Sequence, residues 1–461
     1  SICSLYLKLK IEGGAGVRPH KNSINNYCYP ENPEAGIDLF LEKLVQETEK
    51  EHEDILEQAD ETDAMFGELY SWYLRNPEYR SRVQKLVQSA FAGKPKDIIS
   101  QSVAKALYGE VSPYSATRLE RFAACAFAHF LQYGMKLTER VEYEFKPMDM
   151  GNVMHEALES FAEEVRKRGM KWTELTEQER NEIADRCLDN IVADYGNTVL
   201  KSSARNEYMI ERTRRILRRT VWALQKQLEQ GEFQPEGFEV TFGGGRIDRV
   251  DIMEDQNKVY VKVIDYKTGN TSFDLVYLYH GLQLQLMIYL DGALRVEQKK
   301  YPDKEIIPAG VFYYNIKDPM IQEKIDADVE AVSAGLMKEL KMNGLVQADP
   351  ELVYRMDSSL GSIPVAFNKD GNFRKNSSVA DRTQFAVLGR YVRTKIEKIR
   401  SSILEGDAEV SPYELGKKNA CTYCPYMTVC GFDRRLSGYE FRRLKNFSDE
   451  ELWKAFDREA E

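Results

Sequence analysis

Cysteine and long apolar runs are scarce in this chain, and each scarcity excludes a class of protein. Seven of the 461 residues are cysteine, an odd and small number that argues against a secreted scaffold held together by disulfides. No apolar run reaches the length of about 18 residues that a membrane-spanning helix needs. The first residues also lack the charged and then apolar layout of a signal peptide. We therefore expect a cytoplasmic protein without a membrane partner.

Positive charge is in deficit as well. The 64 Lys and Arg residues stand against 74 Asp and Glu residues, which gives a formal net charge of −10. That balance excludes a protein coated uniformly with basic residues. It leaves nucleic acid open as a partner, because affinity follows local basic patches. Hydrophobic residues make up 43% of the chain, which is enough for a globular protein with a sizeable core.

The chain divides into three predicted regions, at residues 1–110, 111–446 and 447–461. The first region is acidic and mostly helical in pattern. Its glycine-rich run at residues 13–16 is not followed by the Gly-Lys-Ser/Thr of a phosphate-binding loop. The last region is predicted as a C-terminal helix. Because the chain opens at Ser1 without a recognisable domain start, we expect it to be part of a longer polypeptide.

The middle region changes from helical to strand periodicity and back. Apolar residues at helical spacing predict helices, and alternation of apolar and polar residues predicts strands. The predicted helices are residues 115–131, 152–167 and 280–296, and the predicted strands are residues 238–242, 246–253, 258–267 and 306–314. Strands bracketed by helices indicate an α/β or α+β fold.

A predicted hairpin carries the densest chemistry of the chain. Its first strand contains Gly-Arg-Ile-Asp248, and its second contains Val-Ile-Asp265-Tyr-Lys267. If the turn centres between Gln256 and Asn257, Asp248 and Asp265 face each other across the strands, with Cβ atoms about 4.5–5.5 Å apart. Lys267, two residues beyond Asp265, projects from the same face of the sheet.

Two carboxylates held this close repel each other unless a proton or a cation lies between them. A hard divalent cation such as Mg²⁺, which prefers carboxylate oxygens and water, resolves the repulsion. Lys267 is then in place to orient the attacking water or to stabilise charge on a phosphate. The alternative is a structural Asp–Lys ion pair on an exposed sheet face. That alternative is less favoured because Asp and Lys are both poor strand formers.

An Asp on one strand followed by Asp-x-Lys on the next resembles the core of the PD-(D/E)XK nuclease superfamily, in its RecB-type branch. That branch also has an upstream helical His, matched by His155, and a Gln-x-x-x-Tyr motif, matched by Gln285 and Tyr289. The resemblance implies a restriction-endonuclease-like mixed sheet flanked by helices. The site residues that it implies are His155, Asp248, Asp265 and the backbone carbonyl of Tyr266 for Mg²⁺, and Asp248, Asp265, Lys267, Gln285 and Tyr289 for catalysis.

Three cysteines near the C-terminus form a second motif, with the spacing C-x₂-C-x₅-C. They are Cys421, Cys424 and Cys430. In a reducing compartment this spacing suggests a metal or a cluster rather than disulfides. Three thiolates leave one ligand to come from upstream, where Cys125 is the best candidate; the alternatives are Cys3, Cys28 and Cys187. From the spacing alone, zinc and a [4Fe–4S] cluster are equally compatible.

The resemblance favours the iron–sulfur cluster over zinc. Several RecB-type nucleases hold a [4Fe–4S] cluster with one upstream Cys, matched by Cys125, and a C-terminal C-x₂-C-x₅-C. Such a cluster would staple together segments that lie far apart in the chain. Across residues 112–446 the chain resembles the B subunits of bacterial AddAB-type helicase–nucleases. This implies a heterodimer with an AddA-like helicase motor, and residues 1–110 as a remnant of a helicase-like part.

Basic residues cluster in three stretches despite the acidic total. Two stretches lie at residues 205–219 and 390–400, and the third follows the last cysteine. The third is our preferred contact to the DNA backbone, and its residues are Arg434, Arg435, Arg442 and Arg443. The alternative for each stretch is a solvated helix face.

The expected function is a Mg²⁺-dependent deoxyribonuclease acting as an exonuclease. It would cleave the 5′-ended single strand of an unwound duplex, as the nuclease module of a helicase–nuclease that processes double-strand breaks for recombinational repair. One alternative is a stand-alone iron–sulfur single-strand exonuclease of the Cas4 or Dna2 kind. Another is a catalytically silent clamp that only binds DNA ends.

Overall fold

The computed structural model of the chain describes residues 37, 40–41, 61–90, 98–109, 115–138, 147–194, 203–243, 245–321, 328–435 and 438–460. Cys3, Cys28 and the glycine-rich run at residues 13–16 lie outside the described residues. Two compact units are present. One takes the chain up to Ile98 together with Glu409–Pro412 and Tyr423–Arg442, and the other takes Ile99–Ala408, Tyr413–Thr422 and Arg443–Glu461. The predicted boundaries at residues 110 and 446 stay a prediction.

The described residues form fifteen α-helices and nine strands. The helices are α1 (Glu61–Arg75), α2 (Pro77–Ala90), α3 (Gln101–Tyr108), α4 (Ala116–Ala124), α5 (Ala126–His129), α6 (Pro147–Lys167), α7 (Glu177–Asp194), α8 (Ala204–Glu229), α9 (Leu275–Tyr279), α10 (Gln285–Lys300), α11 (Val329–Glu339), α12 (Pro350–Met356), α13 (Arg382–Glu405), α14 (Met427–Cys430) and α15 (Asp449–Ala460). The strands are β1 (Gln234–Phe242), β2 (Gly245–Asp255), β3 (Lys258–Lys267), β4 (Glu305–Asn315), β5 (Asn343–Gln347), β6 (Val379–Ala380), β7 (Tyr413–Leu415), β8 (Lys418–Asn419) and β9 (Arg442–Arg443). Within the described ranges, no helix is long and apolar enough to cross a membrane.

Six strands of the larger unit form one mixed sheet in the order β1-β2-β3-β4-β5-β6. The pairs β1–β2, β2–β3 and β4–β5 are antiparallel, whereas β3–β4 and β5–β6 are parallel. The chain crosses from β3 to its parallel neighbour β4 through α9 and α10, because a parallel pair cannot be joined by a tight turn. The predicted mixed sheet flanked by helices is confirmed.

Helices cover both faces of this sheet, so its central strands are buried along nearly their whole length. Side chains of β3 alternate between two cores. Val261 and Val263 belong to the core shared with α4, α10, α13 and α15. Tyr260 and Ile264 belong to the core shared with α6, α7 and α8. Cys187 of α7 is buried in this second core, as expected for an apolar packing residue.

Charged side chains are also buried beside the apolar ones. Asp251 of β2 is fully buried and lies 2.5 Å from Nε of Arg249 and 2.9 Å from Nζ of Lys262 on β3. The guanidinium of Arg249 also lies over the ring of Trp172. Each buried charge therefore has a partner, which buried ions require.

The smaller unit contains α1, α2 and α14, and it has a separate core. Phe40 stacks on Tyr70 with ring centroids 5.7 Å apart, and Tyr73 packs edge-on against Phe40. Val83 and Val87 of α2 complete this core. The helical pattern predicted for the acidic region is present where the structure describes it.

All three predicted helices have different limits in the structure. The helix predicted for residues 152–167 begins earlier, at Pro147. The helix predicted for residues 115–131 is interrupted at Cys125, whose extended backbone (φ −166°, ψ 118°) ends α4 and precedes α5. The helix predicted for residues 280–296 begins only at Gln285. A one-residue break barely shifts the spacing of an apolar stripe, so periodicity does not reveal it.

Candidate active site

The central strands part at the place where the predicted site residues lie. Arg249 pairs with Ile264, which is the register predicted from the hairpin turn, and it is the last pair of the β2–β3 ladder. Beyond it, within the described sheet, β2 pairs only with β1 and β3 pairs only with β4. Asp248 and Asp265 are the next residues on the two strands. Their side chains therefore lie where the strands separate.

Asp248 continues the ladder through its side chain. Its Oδ2 accepts a hydrogen bond from the backbone N–H of Tyr266 at 2.7 Å. The same oxygen lies 3.3 Å from Nδ1 of His155 on α6, and Nε2 of His155 lies 3.1 Å from the carbonyl oxygen of Tyr266. His155 thus contacts both Asp248 and the carbonyl oxygen of Tyr266, which are two of the other three predicted metal ligands.

Both ring nitrogens of His155 face oxygen acceptors. Both must therefore donate, as they do in the protonated imidazolium. Burial opposes that charge, but hydrogen bonds and charge attraction from Asp248 and Glu239 outweigh it and raise the pKa of His155 to about 10. A cation bound among these oxygens would have to take the place of the proton.

Glu239 of β1 is a site residue that sequence reasoning missed. Its Oε1 lies 3.8 Å from Nδ1 of His155, and its other oxygen pairs with Arg246. Three side chains, those of His155, Glu239 and Asp248, each have one donor atom within 4.8 Å of the others, so this group could hold a metal ion. Asp265 is not a member of this group. Glu239 has a φ of 49°, a left-handed conformation that is uncommon for a non-glycine residue. Its signal in the sequence is a carboxylate flanked by apolar residues in a strand.

Asp265 belongs to a second half of the site. Its carboxylate is 1% exposed, and Oδ2 lies 2.5 Å from Nζ of Lys267. Its Oδ1 accepts a hydrogen bond from Nε2 of Gln285 at 2.8 Å. The Gln285 Oε1 accepts from Lys267 at 2.9 Å, and its Nε2 also approaches the hydroxyl of Tyr289 at 2.9 Å. All four of these predicted catalytic residues thus share one network.

The donor set fits a hard divalent cation. Lys267 is the one described residue that the buried Oδ2 of Asp265 contacts. A carboxylate oxygen with a single partner can still accept a further ligand, and it is the kind of ligand that Mg²⁺ binds. Burial and the nearby Asp248 raise the pKa of Asp265 to about 7, although Lys267 acts in the opposite direction.

Glu120 of α4 is the second residue that sequence reasoning missed. Its Oε1 accepts hydrogen bonds from the backbone N–H groups of Leu284 at 2.7 Å and Gln285 at 3.0 Å. Burial raises the pKa of Glu120 to about 7, although these two hydrogen bonds lower it. The contact joins residues 164 positions apart, so no local pattern indicates it.

The four predicted cluster ligands are divided between the two units. Cys125 is buried at the break between α4 and α5, and Cys421 follows the β7–β8 hairpin; both belong to the larger unit. Cys424 and Cys430 belong to the smaller unit. The Sγ of Cys430 accepts a hydrogen bond from the N–H of Phe432 at 3.4 Å, a contact that also tunes cluster-bound sulfur. The cluster stays a prediction.

The arginines predicted to contact DNA are exposed, and some already have partners. Arg435 pairs with Asp433 at 2.7 Å, and the guanidinium of Arg434 lies over an aromatic ring. Arg442 and Arg443 are exposed. The basic stretch at residues 205–219 on α8 is largely taken up in ion pairs with acidic side chains. A DNA contact by the four arginines stays a prediction.

A parted pair of strands with an Asp on one, Asp-x-Lys on the other and a helical His between them is the core of a PD-(D/E)XK nuclease. A family model described as the PD-(D/E)XK nuclease superfamily matches residues 113–431. The chain belongs to this superfamily, as its sequence motifs predicted.

The chain is also similar to curated proteins that are each named as the B subunit of an ATP-dependent helicase/deoxyribonuclease. The identity is 41% over 425 residues for the protein of Lachnoclostridium phytofermentans, 34% over 425 residues for that of Thermoanaerobacter sp. and 33% over 423 residues for that of Clostridium acetobutylicum. Each match covers 87% of this chain but only 36% or 37% of the relative. The shared name confirms the predicted resemblance to B subunits of helicase–nucleases.

Proposed function

We propose that this chain is the metal-dependent deoxyribonuclease module of a helicase–nuclease. One observation carries the proposal: Asp248 with His155, and Asp265 with Lys267, meet where the two central strands part. The names of the relatives, which combine a helicase with a deoxyribonuclease, favour this function over a stand-alone exonuclease. A silent DNA clamp is disfavoured because it has no reason to keep two repelling carboxylates together.

We assign the metal site to Mg²⁺ on the chemistry of its donors, which are oxygens and one imidazole. The residues that would hold the ion are His155, Asp248, Asp265 and the carbonyl of Tyr266, with Glu239 beside them. When bound, a divalent cation there supplies positive charge that stabilises the charge developing on the phosphate.

Lys267 is the group that would act on the attacking water. Its side chain is 28% exposed, so solvent can reach it beside the buried carboxylate of Asp265. An ammonium group has three N–H donors, and contacts with Asp265 and Gln285 engage two of them. The third donor is available to orient a water or to stabilise a phosphate oxygen.

Tyr289 would position the DNA strand. Its hydroxyl is 2.9 Å from the Nε2 of Gln285 and accepts a hydrogen bond from it, so the O–H remains to donate to a phosphate oxygen. Burial raises the pKa of Tyr289 above the ordinary tyrosine value. The hydroxyl therefore keeps its proton at any physiological pH.

The substrate that we propose is single-stranded DNA from an unwound duplex end, with the 5′-ended strand cleaved exonucleolytically. The name of the relatives supports a motor partner, since they are subunits of an ATP-dependent helicase. An AddA-like motor in a heterodimer would feed the strand to this module during double-strand break repair in the cytoplasm. A [4Fe–4S] cluster on Cys125, Cys421, Cys424 and Cys430, rather than zinc, would be its second cofactor.

The test is cleavage of end-labelled single-stranded DNA by the wild-type chain, with Mg²⁺ and after chelation. We expect the chain to cleave only with the metal, and Asp265→Asn to lose at least about 100-fold in rate. The matched control is Asp303→Asn, the same change in an exposed turn residue, which should cleave like wild type. A folded Asp265→Asn variant that cleaves at the wild-type rate would refute the assignment. Substrates blocked at the 5′ or the 3′ end determine the polarity.

A further inference from the structure

The helix that carries Gln285 lacks a cap from its own sequence. Leu284 directly precedes α10 and makes no side-chain hydrogen bond to it. The backbone N–H groups of a first helical turn have no partner within the helix. In most helices a Ser, Thr, Asp or Asn at this place accepts a hydrogen bond from one of them.

For α10 the acceptor comes from another helix. Oε1 of Glu120, on α4, accepts from the N–H groups of both Leu284 and Gln285, at 2.7 and 3.0 Å. A negative carboxylate is also favoured at this end of a helix by the helix dipole. Ala123 of α4 also packs closely against the turn that precedes α10, since its Cβ lies 3.2 Å from the place where a Cβ on Gly281 would stand.

The position of Gln285 matters because its amide is shared by three other site residues. It donates to Asp265, accepts from Lys267 and contacts Tyr289, all at 2.8–2.9 Å. An amide has distinct donor and acceptor ends, so a shift or a flip breaks more than one of these bonds. Misplacement of site groups by about 1 Å can cost about 100-fold in rate.

We propose that Glu120 is a positioning residue of the nuclease site. It fixes the first turn of α10, and through that turn it holds the Gln285 amide against Asp265 and Lys267. Glu120 touches neither carboxylate of the parted strands by hydrogen bond, so it acts through Gln285. This inference rests on the proposed function.

The test compares two substitutions of Glu120 in steady-state cleavage of single-stranded DNA with Mg²⁺. Glu120→Ala removes the acceptor, and we expect kcat to fall by about 10- to 100-fold while KM for DNA stays near the wild-type value. Glu120→Gln keeps a carbonyl oxygen for the two N–H groups, so we expect it to retain most of kcat. A merely structural role would not produce this split between kcat and KM with rescue by the amide.

The matched control is a helix cap away from the site. Oδ1 of Asp349 accepts from the N–H groups of Glu351 and Leu352 at 3.0 and 3.3 Å, so one carboxylate oxygen caps α12 as Glu120 caps α10. We expect Asp349→Ala to lower the midpoint of thermal unfolding about as much as Glu120→Ala does, and to leave kcat unchanged. An equal loss of kcat in both variants would overturn the inference, since stability alone would then explain it.

Two further outcomes keep the inference distinct from the proposed function. If Asp265→Asn is inactive and Glu120→Ala has the wild-type kcat, only the inference fails; if both are fully active, the proposed function fails.

Should Glu120→Ala not fold, Glu120→Asp replaces it. That variant keeps the charge but shortens the side chain by one methylene, so it should lose kcat where Glu120→Gln does not. The reverse order would mean that charge, not position, is what Glu120 supplies.

Discussion

Metal binding at this site should be coupled to the loss of a proton from His155. The imidazole lies between Oδ2 of Asp248 and the carbonyl of Tyr266, and these neighbours together with Glu239 raise its pKa to about 10. Only the neutral imidazole can bind a metal. The Mg²⁺ ion that we propose for this site would therefore have to displace a proton that His155 holds at neutral pH.

The size of the effect follows from the pKa values. At pH 7, a pKa of about 10 opposes binding by about 4 kcal/mol, at about 1.36 kcal/mol for each pH unit. Of His155 and Asp265, only His155 loses its proton between pH 7.5 and 9. The apparent Kd for Mg²⁺ should therefore fall about tenfold per pH unit in this range. Below pH 7 Asp265, whose pKa is raised to about 7, also binds a proton. The dependence should then steepen toward about 100-fold per unit.

The same pKa has a consequence for the metal-free protein. The folded-state pKa of His155 lies above its ordinary value of 6.5, so folding is favoured by the bound proton. This stabilisation is fully present below about pH 6.5 and is lost as the pH rises toward 10. Metal-free protein should therefore become easier to unfold with urea across that range, whereas Mg²⁺ should protect it increasingly.

Calorimetric titration with Mg²⁺ at pH 8, carried out in two buffers with different ionisation enthalpies, measures how many protons are released for each ion bound. We expect the wild-type chain to release about one proton per bound ion. His155→Gln should release nearly none and should lose the dependence on pH between 7.5 and 9. Glu156→Gln, at the exposed neighbouring position on α6, is the control and should match wild type. Proton release that is absent in wild type, or unchanged in His155→Gln, would refute the reasoning.

Three other predictions concern the fold and the cluster. Asp251→Asn should lower the free energy of unfolding by about 3–5 kcal/mol in urea titrations, because two buried cations lose their anion; a loss below about 1 kcal/mol would contradict it. Gly344→Ala should lower the free energy of unfolding by about 1–3 kcal/mol, since its Cβ would stand 1.9 Å from the carbonyl oxygen of Val311; Gly269→Ala, with no atom within 4 Å of the added Cβ, is the control. Cys125→Ser should reduce iron content and visible absorption, and a colourless, zinc-loaded wild-type chain would disprove the cluster assignment.

The register of the site could be predicted from the sequence because strand geometry is local. Side chains alternate along a strand, and a short turn fixes which residues face each other. The turn before Lys258 was therefore enough to predict the pairing up to Arg249 and Ile264, after which Asp248 and Asp265 are the next residues on the two strands. Helical spacing likewise placed Gln285 and Tyr289 on one face, four residues apart, and the structure joins their side chains directly.

Glu239 and Glu120 could not be predicted in the same way. Glu239 reaches His155 from a backbone with a φ of 49°, and strand periodicity assumes extended backbone throughout. Glu120 acts on a helix end 164 positions away. Sequence periodicity also missed the break at Cys125, because one residue with an extended backbone leaves the spacing of the apolar residues almost unchanged. Two of these misses are departures from regular backbone geometry, and the third is a contact between residues far apart in the chain.

The site is assembled from every layer of the sheet and helices, which explains the spread of its residues along the chain. The parted strands supply Asp248 and Asp265. The helices on one face supply His155 from α6, and those on the other face supply Gln285 from α10, which Glu120 caps from α4. No single helix or hairpin holds enough of these groups to bind the metal and orient the water. The proposed cleavage would therefore require both core layers to be packed against the sheet, and a destabilising change in either layer should lower activity before the chain unfolds globally.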